Sequence, residues 1–450
     1  MKKHILTLFS LCSYLFVTGQ YTPILVNSFH LGSDLSMVKA IYDNGGTYYV
    51  DSVEKNVFEA YKLGGYDYAR IRLFHSPDGW EASGTVNSLE YTLSLAELIK
   101  DAGMKLLLDF HYSDTWADPS QQDIPEAWSG LDFNTLIDSL YNYTLKVLNT
   151  FAAADVSPDM IQTGNEINNG FLWPEGKAWK ESTPNYRNLS TLLKTAINAV
   201  RDSEGGNTIP IMLHAATGGS DTDTRIFIDS LIKYNVEFDV LGLSYYQCWH
   251  GTLADLEANI NFLSSTYEQS VIIVETNYQS DGTSPDYCVL TEDQIPFPYS
   301  QQGQYDYMQK IYTILEKYNK AKGLFYWGGD YIYAGDIGGS YSSLFHWQGN
   351  ANKALFAISD LITNTKEINP DNQSYHIQQF SDGAYKITCN NPHTKSLIQI
   401  YNLLGQKVYN QIFWGDEYYF NPNLQAGIFF FSIQTAGEKR FIQKIQVKAF

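Results

Sequence analysis

Two glutamates stand at the ends of β-rich apolar runs. Glu166 follows Met160-Ile161-Gln162-Thr163-Gly164-Asn165, and Glu275 follows Val271-Ile272-Ile273-Val274. A carboxylate at the C-terminal end of a parallel strand lies where barrel enzymes place their chemistry. Two such carboxylates on opposite strands can flank a glycosidic bond, one protonating the leaving oxygen while the other attacks the anomeric carbon. Singly, each fits a loop charge or an ion-pair partner equally well. Their shared context favours chemistry.

The densest polar run is Leu108-Asp109-Phe110-His111-Tyr112-Ser113-Asp114-Thr115-Trp116-Ala117-Asp118-Pro119. It leaves a strand and brings Asp109, His111, Asp114 and Trp116 to one rim. A polyhydroxylated ligand requires that mixture, hydrogen bonds for orientation and an aromatic plane for contact area. For Asp109 a satisfied buried network with His111 fits as well as direct substrate contact.

Positioning these groups takes eight strands, beginning near Phe29, Ala69, Lys105, Met160, Ile209, Asp239, Val271 and Gly323. Amphipathic segments alternate with them: Leu89–Ala102, Leu131–Ala154, Tyr186–Ser203, Asp223–Tyr234, Leu253–Tyr267 and Tyr305–Lys320. Short, nearly continuous apolar strands suit a parallel sheet covered on its outer face. The expected fold is an α/β (β/α)8 TIM barrel with long loops, followed by a small all-β sandwich. A doubly wound sheet is disfavoured because no glycine-rich phosphate loop follows the first strand.

The chain of 450 residues suits one large barrel and an appendage. Met1 to Gly19 has the charged start and short apolar core of a signal peptide. The barrel is expected over 20–365, a polar linker over 366–374 and the sandwich over 375–450. Removing the signal leaves Cys248, Cys288 and Cys389, so one disulfide is available, with Cys248 and Cys288 the favoured pair. A formal charge of −19 argues against nucleic acid, anionic membranes and polyanionic substrates. No cofactor is expected. Asp281, Asp286 and Asp293 are too loosely spaced to suggest an oxygen cage for a metal.

The run from Leu108 to Pro119 resembles the signature of glycoside hydrolase family 53, the endo-β-1,4-galactanases. Further matching runs follow the family order: Gly32-Ser33-Asp34-Leu35-Ser36, Ala69-Arg70-Ile71-Arg72-Leu73-Phe74, Gln162 to Ile167, Gly170 to Gly176, Leu241 to Tyr246, Trp249-His250-Gly251-Thr252 and Glu275-Thr276. The resemblance spans about residues 29 to 360. It implies that Glu166 is the acid/base on strand four and Glu275 the nucleophile on strand seven of a retaining enzyme acting on β-1,4-galactan. It further implies Arg72 beside the nucleophile, Asn165 on the sugar 2-hydroxyl, and either Tyr245 or Tyr246 bonded to the nucleophile. Trp173, Trp249 and Trp327 become the expected sugar platforms, with Trp327 fitting a floor role equally well.

Two loops depart from the family pattern: His214-Ala215-Ala216-Thr217-Gly218-Gly219 after strand five, and Tyr326-Trp327-Gly328-Gly329-Asp330 after strand eight. The tail resembles a C-terminal sorting domain of the type IX secretion system of Bacteroidetes, on Ile400 to Val408, Leu424 to Phe429 and Lys444 to Val447. Its implied partner is the secretion machinery and its implied location is outside the cell. A carbohydrate-binding sandwich is the rival reading of the tail. For the whole chain the rivals are another barrel glycanase acting on β-glucan or mannan, and a surface glycan-binding protein.

Overall fold

The computed structural model describes residues 21–80, 84–180, 183–281 and 290–364, and in the tail 375–379, 384–389, 395–403, 405–415, 417–424, 427–435 and 441–447. The expected signal peptide and linker lie outside the described residues, as do Cys12, Asp286 and Cys288.

Eight parallel strands close into a barrel in chain order. They are β1 (His30–Asp34), β2 (Tyr68–Leu73), β3 (Lys105–Phe110), β4 (Met160–Thr163), β5 (Ile211–Ala215), β6 (Val240–Ser244), β7 (Ser270–Glu275) and β8 (Ala321–Tyr326). Closure comes from β1, which pairs with both β8 and β2. All eight lie within two residues of their expected starts.

Alternation along each strand builds two environments. In β2, Ala69, Ile71 and Leu73 pack outward into the large core beneath the helices. Tyr68 instead joins Leu107, Met160, Met212, Val240, Ile272, Val274 and Phe325 in a separate apolar plug of the lumen. The plug is tight. A Cβ at Gly32 would meet the Phe325 ring at 2.4 Å, so a glycine there makes room for the aromatic floor. Below the plug, the Tyr21 hydroxyl and the Ile24 N–H both donate to buried Asp239. Above it, the inward positions become polar.

The six expected amphipathic segments are helices, and their starts follow from side-chain caps. Ser88, Asp132, Asn185, Ser220 and Thr252 each accept a hydrogen bond from the first turn of the following helix. The sixth begins earlier than expected, at Gln301, because Ser300 accepts from Gly303 N–H, and it ends at Leu315. No helix among the described residues is long and apolar enough to cross a membrane.

The tail forms two antiparallel sheets. One holds Tyr375–Gln379, Tyr385–Cys389 and Glu417–Phe420; the other holds Lys395–Asn402, Lys407–Trp414, Gly427–Thr435 and Phe441–Val447. Tyr375, Ile387, Ile398, Ile400, Phe413, Phe420, Phe431 and Ile433 share one core that spans both sheets, which makes a sandwich. This core is separate from that of the barrel.

Candidate active site

The polar layer begins with two arginines on β2. Arg70 and Arg72 are fully buried and face the lumen two residues apart. Arg70 is the hub. It donates through Nη2 to Asp109 and Asn165 (both 2.8 Å), through Nη1 to Asp34 (3.2 Å) and through Nε to Gln162 (3.2 Å). Its Nη1 also lies 2.8 Å from Glu275 Oε1. A planar guanidinium is the side chain that can hold so many acceptors in fixed directions.

Arg72 does not hold the nucleophile candidate. It bonds Asp34 at 3.0 Å and reaches Tyr331, and its guanidinium lies 4.5 Å from the Trp116 ring centroid. The two arginines occupy successive layers, and Glu275 ends level with the lower one. Arg70 therefore takes the place the sequence assigned to Arg72.

Two local backbone departures aim the glutamates. On β7, strict alternation would turn Glu275 away from the lumen, because its neighbour Val274 already faces inward. The pairing with β6 runs Leu243↔Ile273 and then Ser244↔Glu275, so one extra residue sits on β7. Such a bulge re-aims a side chain, and Glu275 lines the cleft. After β4, Glu166 adopts φ 48°, ψ 49°, a left-handed conformation that an ordinary residue holds only where its surroundings impose it.

The remaining polar groups fix these carboxyls. The Tyr246 hydroxyl donates to Glu275 Oε2 at 2.9 Å. Tyr245 is buried and donates to the Gly251 carbonyl, which settles the tyrosine on Tyr246. The Ser244 hydroxyl donates to Glu166 Oε1 at 2.5 Å, and His214 Nε2 lies 2.9 Å from Ser244 Oγ. Gln162 Nε2 donates to Asp109 at 2.6 Å. Asp109 is fully buried and belongs to this network, not to the cleft surface; His111 Nε2 lies 3.1 Å from its carboxylate.

Above this layer opens a cleft of about 750 Å³ lined by Arg70, Arg72, His111, Trp116, Asn165, Glu166, Tyr246, Trp249, Glu275 and Trp327, among others. Trp249 is 61% exposed, as a platform for a ligand would be. Trp327 stacks on Tyr331 at 6.3 Å. Besides Asp109 and Tyr245, two further expected site residues fall outside the cleft lining. Trp173 donates to the Asn169 carbonyl and lies under the Lys177 ammonium, away from the cleft lining. Asp114 accepts the N–H groups of Ser76 and Glu126 and braces two loops. Cys248 is disulfide-bonded, while its expected partner Cys288 lies outside the described residues. Among the described residues no group of three or more His, Cys, Asp or Glu side chains is placed to hold a metal.

Burial and charge divide the two glutamates. Glu166 is pushed up to about 8 by burial first and by the Glu275 charge second, against the Ser244 hydrogen bond. Burial raises Glu275 as well, but the Arg70 guanidinium and the Tyr246 hydroxyl oppose that rise. Glu166 is therefore the carboxyl favoured to hold a proton near neutral pH, and Glu275 the one whose charge the guanidinium and the hydroxyl stabilise. His214 is driven well below its ordinary value by burial and by Arg70, so it is neutral.

Arg70→Lys keeps one charge but cannot reach five acceptors, so kcat should fall by about 10²-fold through misplacement. With the guanidinium gone from its side, Glu275 should titrate higher and the acidic limb of the pH profile should move up. Arg72→Lys should leave that limb in place, and a shift of equal size in both variants would contradict the assignment.

Sequence reasoning gave no role to Arg70, Gln162, His214, Ser244 or Asp34. A signal was present for two of them: His214 and Ser244 are each the one polar residue in an otherwise apolar strand, at or next to its C-terminal end.

An eight-stranded barrel with paired glutamates after β4 and on β7, set in an aromatic cleft, defines a barrel glycoside hydrolase. The family model described as glycosyl hydrolase family 53 matches residues 30–368, and the chain belongs to that family. It is 38% identical over 245 residues to arabinogalactan endo-beta-1,4-galactanase A of Aspergillus niger, covering 53% of this chain and 68% of that protein. Among solved structures, the Ignisphaera aggregans GH53 catalytic domain superposes with a TM-score of 0.67 at 34% identity, covering 75% of this chain and 98% of that one. A structure from a study of two fungal beta-1,4-galactanases also gives a TM-score of 0.67, at 28% identity, over 73% of this chain and 98% of that one.

Proposed function

We propose that the protein hydrolyses β-1,4-galactan internally, with retention of anomeric configuration. The carrying observation is the unequal pair of carboxyls facing one cleft, Glu275 held by the Arg70 guanidinium and the Tyr246 hydroxyl, and Glu166 held by the Ser244 hydroxyl alone and pushed up by burial. Glu275 attacks the anomeric carbon while Glu166 passes its proton to the departing glycosidic oxygen, leaving a galactosyl ester on Glu275. Glu166, now a carboxylate, takes a proton from water as that water attacks the same carbon and releases Glu275. Asn165 spends its Oδ1 on Arg70 and one N–H on the Ala117 carbonyl, leaving a second N–H for the sugar 2-hydroxyl. Trp116, Trp249 and Trp327 line the cleft and supply aromatic contact area for the apolar sides of galactose.

The choice of galactan rests on relatives named as galactanases. A time course on linear β-1,4-galactan, beside barley β-glucan and mannan, tests it. Galactan alone should yield intermediate oligosaccharides before short ones, and NMR should show the β anomer first. Cleavage of glucan or mannan in its place would overturn the substrate, and an α product would overturn retention. The profile of kcat/KM against pH should be bell-shaped. Its alkaline limb should lie near pH 8, where Glu166 loses its proton, and its acidic limb should lie above the ordinary carboxylate range, where Glu275 gains one.

The tail and the N-terminus extend the reading. Residues 1–19 act as a signal peptide, and the sandwich serves as a sorting domain read by outer-membrane export machinery, placing the enzyme outside the cell. The separate core of the sandwich supports independence from catalysis. A chain ending at 364 should keep its kcat/KM on soluble galacto-oligosaccharides yet remain in the periplasm of its host. Normal export with weakened action on polymeric galactan would instead make the tail a carbohydrate-binding module.

A further inference from the structure

We propose that Ser244 and His214 are positioning residues that decide which oxygen of Glu166 carries the catalytic proton. The inference rests on the reading of Glu166 as acid/base and deepens it.

The direction of each hydrogen bond can be settled from one fixed point. The backbone N–H of Glu166 points at His214 Nδ1 across 3.3 Å. A backbone N–H cannot rotate or reverse, so Nδ1 must accept. Nδ1 has two further neighbours: Gln162 Nε2 at 3.1 Å is a donor and agrees with an accepting Nδ1, and Asn165 Oδ1 at 3.0 Å already accepts from Arg70 and Gln162 and has no need of a further donor. A neutral imidazole carries one N–H, and with Nδ1 accepting it must sit on Nε2. His214 Nε2–H therefore donates to Ser244 Oγ, and the serine hydroxyl has its hydrogen left for Glu166 Oε1. The result is a closed ring of one-way bonds. It leaves the backbone of Glu166, passes through His214 and Ser244, and returns to the carboxyl of Glu166.

The consequence falls on the proton. With Ser244 donating to Oε1, a proton on that oxygen would meet the serine hydrogen head-on. Oε2 is left to carry it. The same arrangement serves the second half-reaction, when the hydroxyl stabilises charge on Oε1 and Oε2 accepts the proton of water. The left-handed backbone of Glu166 belongs to the same device, since it aims the N–H that fixes the histidine tautomer.

Several charged and titratable groups face this carboxyl. They are Arg70 on β2, Asp118 in the loop after β3, His214 on β5, Tyr246 after β6 and Glu275 on β7. Ser244 contributes no charge of its own, so its replacement leaves their balance intact.

Ser244→Ala should lower kcat/KM on galactotetraose by about 10–100-fold, because the acid then distributes its proton over both oxygens and loses its aim. On dinitrophenyl β-galactobioside, whose leaving group needs no proton, kcat/KM should stay near the wild-type value. The alkaline limb should also move to higher pH, since the serine hydrogen bond favours the charged carboxylate. Ser244→Thr, which keeps a hydroxyl, should restore galactotetraose cleavage. Equal losses on both substrates, no loss on either, or a fixed alkaline limb would each overturn the inference. Glu166→Ala, run on the same pair of substrates, separates the two levels. If it shows the leaving-group split and Ser244→Ala does not, this inference alone fails; if it shows no split, the assignment of Glu166 fails with it.

Discussion

Glu275→Gln should abolish turnover, by about 10⁴-fold or more, while galactan still binds. The amide has nearly the shape of the carboxylate, so the loss is one of nucleophile and charge, not of packing. In the wild type, Arg70 Nη1 faces Oε1 at 2.8 Å and the Tyr246 hydroxyl donates to Oε2 at 2.9 Å. The Oε1 of the variant can still accept from Arg70, and the Tyr246 hydroxyl can rotate to accept from an amide nitrogen placed at Oε2. The contacts persist, but part of the guanidinium charge goes unbalanced. A modest stability change accompanies the kinetic loss, since Arg70 keeps Asp34 and Asp109. Binding of galactotetraose by calorimetry, paired with product release over days, checks both halves. Retention of more than a few per cent of activity would remove Glu275 from the nucleophile role.

Glu166→Ala should behave differently, and the contrast is diagnostic. Galactan cleavage should fall by about 10²–10⁴-fold, the usual worth of a positioned acid/base. An activated aryl galactoside should still form the galactosyl ester and then stall, because no base remains to activate water. Added azide needs no base and should restore turnover, giving β-galactosyl azide. The alanine also removes the group that titrates near pH 8, so the alkaline limb should vanish from the residual activity. An α-azide, or no rescue with a persistent alkaline limb, would place the acid/base elsewhere.

The two experiments rely on a site whose parts differed in how visible they were beforehand. The eight strands were legible because each is a short apolar run in a chain of regular βα units, and the helix starts because Ser, Asp, Asn and Thr caps announce them. The sandwich was legible from period-two runs such as Leu397–Tyr401 between turn residues. Glu166 and Glu275 stood out through their shared context, each close to the end of an apolar strand-like run and each within a run that matches the family pattern. Trp116, Trp249, Trp327, Asn165 and His111 reach the cleft as expected. Trp173 and Asp114 do not, since a loop residue's direction depends on what it packs against. Lys177 and Asn169 hold the first, and two backbone amides hold the second.

By itself the sequence determined what runs along single strands: their number and order, and the chemical types at their ends. The tertiary structure decided what depends on relations between strands. Barrel stagger sets which inward residue of one strand is level with which residue of another. That is why Arg70 and not Arg72 meets Glu275. A bulge on β7 turns Glu275 into the lumen against the alternation that the sequence would suggest. The choice of Tyr246 over Tyr245, the ring through His214 and Ser244, and the unequal surroundings of two chemically identical glutamates follow from the same cause. Each depends on distances and burial that arise only when the strands close around one another.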